Sequence, residues 1–249
     1  MCVSDSRPPS SVSILQGVVL FIAQRKTATA MTDQDDETTN AIRYAVLRRL
    51  APGIRHGLMG ELQAIQFLAE LASRQLQASA DPAKVQDGLS HIIAQTRNTV
   101  GSCRSIVEWL RPDAGATTGL GEGIAQCLKL AGDDWPLRGV ETTTNLQAAE
   151  VLVDKAALRE LFTASLIALT DMHPGTLDID VQSAVDAEDV ELRLHARQAD
   201  RRSSMPPAEH ERKFTWADVQ MLAKAHGVPC SCQAHGATLR LRRISAAAA

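Results

Sequence analysis

The sequence predicts an α+β protein: a helical hairpin that dimerises as a four-helix bundle, followed by an α/β sandwich. Three observations predict it. From about Thr38 to Leu110 apolar residues recur at three- and four-residue steps, the period of an amphipathic helix. That rhythm ends at a Gly/Thr-rich linker, Asp113–Gly119. Beyond the linker, short alternating strands and helices follow one another to the end of the chain. The spacing therefore predicts a leader at 1–37, a dimerisation hairpin at 38–112, and a second domain at 119–245.

The hairpin is read as follows. Leu47, Leu50, Ile54, Leu58, Leu62, Ile65, Leu68, Ala69 and Ala72 give the first helix its apolar stripe. The break falls at Ala78–Pro82, where Asp81 suits an N-cap and Pro82 the first helical turn. Val85, Leu89, Ile92, Thr96, Val100, Cys103, Val107 and Leu110 carry the second helix, which stops at Arg111-Pro112-Asp113. A lone hairpin gives each helix a single neighbour, too few to cover its apolar surface. Two hairpins together solve this, so a homodimer is expected.

In the second domain a helix is predicted at Leu120–Ala131, then strands at Val140–Thr144 and Glu150–Val153. A helix at Leu158–Leu169 and half-buried strands at Thr176–Val181 and Val190–His195 follow. The last helix is Trp216–Ala225, with Gly227 placed to cap it, and strands Pro229–Gln233 and Ala237–Arg243 close the chain. Helices on one face of a mixed sheet accommodate that order.

Composition bounds the function. An apolar fraction of 45% with 22% charged residues supports a buried core, and unbranched helix formers outnumber the 3% of aromatics. A net charge of −3 argues against a dedicated nucleic-acid binder. The apolar run Val12–Ala23 is shorter than the roughly 20 residues of a membrane span, and only Arg7 precedes it, unlike a signal peptide. Met31 opens an acidic stretch that reads as an ordinary start, so residues 1–30 are expected to be an overlong gene start or a disordered leader. The five cysteines show neither paired zinc spacing nor a disulfide framework, which suggests reduced thiols in a cytoplasmic protein. Cys230 and Cys232 fall on one strand face and read as packing residues, with a metal or redox role as the minor alternative.

The chain from about 40 to 245 resembles the catalytic core of sensor histidine kinases, a helical dimerisation hairpin followed by an ATP-binding domain. The matching hairpin segment is Arg55-His56-Gly57-Leu58-Met59-Gly60-Glu61-Leu62. His56 and Leu62 match the phospho-accepting histidine and the leucine of that motif, while Gly57 replaces its acid and Glu61 its proline. Pro136–Thr142 and Glu150–Leu161 read like the family's first strands and the entry to its asparagine-bearing helix. Leu161–Thr170, however, contains no asparagine to help hold Mg²⁺. Arg197–Met205 has Asp200 but no glycine where the adenine loop belongs, and no Gly-x-Gly follows. The resemblance is closest to histidine phosphotransferases with a degenerate ATPase-like domain. It implies His56 as phosphoryl carrier, response-regulator receiver domains as partners, and neither ATP, another cofactor nor a metal ion of the protein's own. The rival expectation is a pseudokinase that binds a kinase or regulator without carrying phosphate. A third is an ATP-dependent enzyme with an unusual site, against which several motif positions fail together.

Helix phase supports the same residue. At 100° per residue His56 falls nearly opposite the stripe of Ile54, Leu58, Leu62 and Ile65, which directs it to solvent. Gly53, Gly57 and Gly60 cluster beside it, each costing about 0.5–1 kcal/mol against alanine in a helix. That thinned surface, with Gln63 and Phe67 further along, suits a docking patch of Gly57, Gly60, Gln63 and Phe67. His91, His173, His195, His210 and His235 lack a comparable setting. Asp133-Asp134 and Asp35-Asp36-Glu37 read as solvated charges, and Arg197, Arg201 and Arg202 as a basic loop of the ordinary flexible kind, with an acidic partner surface as its alternative role.

Overall fold

The computed structural model describes residues 11–78, 81–110, 115–131, 135, 139–203 and 212–245, with side chains from residue 35 onward except 108–110. The chain forms two compact units, Met1–Ile42 and Arg43–Ala249. Helix α1 spans Ser11–Gln77, starting well before the expected Thr38. Helix α1 thus begins inside the stretch expected as a leader, and between Ser11 and Glu37 it contains no proline and a single glycine, Gly17. In the first unit Thr39 Oγ1 donates to the Asp35 carbonyl one turn back.

In the second unit, helix α2 runs Pro82–Leu110. It starts as expected: Asp81 Oδ1 accepts from Ala83 N at 3.0 Å, satisfying one of the donors that a helix start leaves open. Strand β1, Thr117–Gly119, lies in the expected linker and pairs antiparallel with β3, Leu152–Asp154. Helix α3 occupies Leu120–Ala131 and β2 Val140–Leu146. Helix α4 covers Lys155–Met172, with Asp154 as N-cap accepting from Ala157 N at 2.7 Å. Strands β4 (Leu177–Val185) and β5 (Asp189–Gln198) form a hairpin, followed by α5 (Trp216–His226), β6 (Cys230–Gln233) and β7 (Gly236–Arg242).

The main sheet has the order β2-β4-β5-β7-β6, with β2 parallel to β4 and the other pairs antiparallel. Its alternation is one-sided. Leu177, Ile179 and Val181, Val190, Leu192 and Leu194, and Leu239 and Leu241 are all buried. Between them stand charges such as Asp180 and Arg197, which pair across strands at 2.8 Å on the open face. The buried face is covered by α4, buried nearly all round from Ala157 to Leu169 and packed between α3 and α5. A helix that is apolar on every side belongs in the middle of a layer. Gly227 adopts φ 63°, the left-handed cap read from the sequence, and the α5 N-terminus carries a capping box of Thr215 and Asp218. No helix among the described residues is long and apolar enough to cross a membrane.

Candidate functional site

Helix α1 presents three faces in the second unit. Ile54, Leu58, Glu61, Ile65, Leu68, Ala72 and Gln75, spaced four and three apart, are half-buried or buried on the side of α2. Ala72 Cβ approaches Gly88 there, and Ser102 Oγ donates to Glu61 Oε1 at 2.8 Å. A second stripe, Met59, Leu62 and Leu76, is at least half exposed, as are Leu89, Ile93, Val100 and Val107 of α2. The sequence assigns Leu62, Leu89, Val100 and Val107 to the same buried stripes as Ile54 and Val85. The structure divides those stripes, because one helical neighbour covers only part of a helix circumference.

The third face holds His56, exposed in the middle of the helix. A Cβ added at Gly57 or Gly60 would meet nothing within 4 Å. Neither glycine is therefore required by packing within this chain. Gln63 is exposed one turn beyond Gly60, and Phe67 is 66% exposed on the same side. His56 and the four residues of the expected patch are thus all exposed. Pro52 sits inside the helix four residues before His56, where it brings no N–H to the ladder.

Beside this surface a cavity of about 90 Å³ opens between the hairpin and the second domain, lined in part by Gly53, Gly57, Glu61, Ser102, Lys129 and Arg159. Glu61 Oε2 is buried there without a protein hydrogen-bond partner among the described residues. Arg159 Nη2 donates to Gln126 Oε1 at 3.1 Å on the far wall.

Two polar clamps hold α1 to the second domain. Arg49 forms a bidentate pair with Asp171, its Nη1 donating at 3.0 Å and its Nη2 at 2.5 Å, and Phe214 N donates to the same carboxylate at 2.8 Å. The side chains of Arg49 and Asp171 are only 14% and 8% exposed, so the charges match each other in a poorly solvated place. Glu160 Oε2 accepts from Arg43 Nε and bonds His226 Nε2, both at 2.8 Å. Burial favours the protonated Glu160 carboxyl, yet His226 and Arg43 outweigh that and hold it below the usual carboxylate range. Sequence reasoning missed these residues. A signal existed: Glu160 and Asp171 are the two acidic residues, three turns apart, of a helix rich in Leu and Ala.

An ATP·Mg²⁺ site in the second domain would need hard oxygen donors on α4. Along Leu161–Thr170 the hard oxygens are Thr163, Ser165 and Thr170. Thr163 and Ser165 are buried in the core, and Thr170 Oγ1 donates back to the Ile167 carbonyl at 2.9 Å. Hydroxyls in these positions do not fit a hydrated magnesium. Arg201 folds back onto the sheet edge, its Nη1 bonding Asp178 at 2.6 Å and its Nη2 the Leu177 carbonyl at 3.1 Å. It is a structural tie, where the sequence suggested a flexible basic loop. Likewise Arg197 pairs with Asp180, and His173 stacks on His235 with ring centroids 4.7 Å apart. Asp133, Asp134, His210 and Met205 lie outside the described residues. No group of three metal-ligating side chains occurs among the described residues.

No protein-family profile and no curated protein matches the sequence. Solved structures do. A bacterial phosphotransferase is 16% identical, with 80% of this chain and 96% of that chain covered and a TM-score of 0.36. A histidine kinase from Burkholderia phymatum is 14% identical, covering 80% and 97%, with a TM-score of 0.37. The catalytic domain of histidine kinase ThkA is 10% identical over 51% of this chain and 93% of its own, with a TM-score of 0.38.

Proposed function

We propose that this chain is a histidine phosphotransfer protein of the cytoplasm, which relays phosphoryl groups between response-regulator receiver domains without binding ATP. The observation that carries the reading is the surface at His56: an exposed imidazole beside two glycines whose missing side chains no part of the chain requires. Open glycines within a helix cost stability, and an approaching partner gives them a purpose. Phe67 supplies apolar contact on the same side.

In the forward step the unprotonated imidazole nitrogen of His56 attacks the phosphorus of an aspartyl phosphate in line. The N–P bond forms as the P–O bond to the aspartate breaks, and the carboxylate leaves with that electron pair. Charge spread over the phosphoryl oxygens in a loose transition state is met by the receiver's own Mg²⁺ and acids. This chain supplies the nucleophile and its position. Transfer to a second receiver is the reverse reaction.

The exposed stripes of Leu62, Leu89, Ile93, Val100 and Val107 support the homodimeric four-helix bundle. A second hairpin covers them and leaves the His56 face, on another side of α1, open to a receiver. The Arg49–Asp171 and Arg43–Glu160 clamps give the second domain the role of buttressing the hairpin.

The decisive experiment is phosphotransfer from a radiolabelled phospho-receiver domain of the source organism to wild type and His56→Ala. An acid-labile, base-stable label on wild type alone is expected. Receiver binding with no label on wild type would instead favour the scaffold reading and remove the relay.

A further inference from the structure

Cys230 and Cys232 are the first and third residues of β6, with side chains on the same half-buried face and their sulfurs 3.4 Å apart. Strand β6 ends the sheet order and pairs only with β7, with Cys230 opposite Leu239 and Cys232 opposite Ala237. The other thiols of the described residues are set apart from this pair. Cys103 is exposed on α2, and Cys127 is buried in α3, where desolvation pushes its thiol up to about 11. Among the described residues no third metal-ligating side chain is grouped beside them, and the two sulfurs are hydrogen-bonded to each other.

We propose that Cys230 and Cys232 form a reversible dithiol–disulfide pair that exchanges with small-molecule disulfides of the glutathione class and reshapes the sheet edge when oxidised. One hydrogen bond joins the two sulfurs, so ionising either thiol leaves a thiolate that accepts from the other. Either sulfur can attack while the other resolves, and the steps are written with Cys230 attacking. Cys230 Sγ⁻ attacks one sulfur of the small disulfide, an S–S bond forms, and one reduced thiolate departs. Cys232 then gives its proton to solvent and attacks Cys230 Sγ, expelling the second thiolate. The protein loses two electrons and two protons, and the small disulfide gains both.

Strand geometry makes the closed form labile. Alternate Cα atoms of a strand lie about 6.6 Å apart. Disulfides span roughly 4.4–6.8 Å and prefer about 5.5–6 Å. Closure therefore contracts the strand, and strain of that kind makes a bond easier to reduce. An edge strand, tied to a single neighbour, tolerates such puckering. Cytosolic disulfides are mostly of this transient kind.

The test uses the full chain in glutathione buffers, quenched by alkylation and mapped by mass spectrometry. Under excess oxidised glutathione more than half of the protein is expected to carry an internal Cys230–Cys232 bond, reversed by excess reduced glutathione. Cys232→Ser should stop at a stable glutathione adduct on Cys230, and Cys230→Ser at one on Cys232, neither forming an internal bond. Cys103→Ser should change nothing. On oxidation, hydrogen exchange should quicken at the amides of β6 while α1 and α2 keep their protection. No internal bond under the most oxidising buffer, a bond to Cys103 instead, or closure that excess reduced glutathione does not reverse would each overturn the proposal.

Discussion

Replacing Gly57 and Gly60 together by alanine separates the stability of helix α1 from its use as a docking surface. In the free protein a Cβ at either position meets nothing within 4 Å, so the change removes conformational entropy from the unfolded chain without a clash. Each replacement in an exposed helix interior contributes about 1 kcal/mol, giving about 2 kcal/mol for the pair. For a domain of 150–250 residues that raises Tm by roughly 4–8 °C. In the complex, the same two methyls occupy space between α1 and a receiver. Overpacking of a close contact costs about 1–3 kcal/mol, a loss of roughly 5- to 150-fold in transfer rate. Thermal melts of the variant, paired with single-turnover transfer from a labelled receiver, read both quantities on one sample. The expected result is a more stable and slower protein. A stabilised variant that transfers phosphate at the wild-type rate would refute the idea that these glycines serve an approaching partner. A destabilised one would refute the open packing around them.

Asp171→Ala leaves the poorly solvated Arg49 guanidinium and the Phe214 N–H without their acceptor, and should cost about 3–5 kcal/mol in urea denaturation. Arg49→Met should cost less, because Phe214 N still satisfies the carboxylate. Glu160 contributes stability that is fully present above its ordinary pKa of 4.5 and lost as pH falls through its lower folded value. Melting temperature should therefore drop across that acidic window, and less steeply in Glu160→Gln. Val100→Glu places a charge in the exposed α2 stripe and should turn the proposed dimer into a folded monomer, read by light scattering alongside an unchanged circular dichroism spectrum. Asp81→Ala removes the α2 cap and should lower stability by about 1 kcal/mol in the same denaturation assay.

What the sequence makes legible is whatever short-range chemistry decides. Asp81, Pro82 and Gly227 announce helix ends because a cap is satisfied by the backbone two or three residues away. Strands β4, β5 and β7 are visible because their burial alternates with period two over a full strand. Helix phase alone directs His56 to solvent, since a helix fixes the direction of each side chain. β1 is missed because three residues, Thr117–Gly119, carry no period and become a strand only by pairing with β3. The Arg49–Asp171 clamp is illegible for the same reason, its partners being 122 residues apart.

The apolar stripes of the hairpin show where a sequence pattern and a single chain part company. Periodicity reports every apolar position that is covered in the functional assembly, without saying by which chain. Val85 and Ala72 are covered within the hairpin, while Val100 and Val107, equally regular, face outward. Seven exposed large side chains on two adjacent stripes are more than a solvated surface of a small helical unit ordinarily carries. Phe67 belongs to neither stripe, because it shares the face of His56 and Gly60. The stripes and the histidine face thus ask for different occupants: a second hairpin removes Val100 and Val107 from water but leaves Phe67 exposed. Mutations on the two surfaces should consequently separate, with Val100→Glu abolishing dimerisation and Phe67→Ala weakening receiver binding in a protein that remains dimeric.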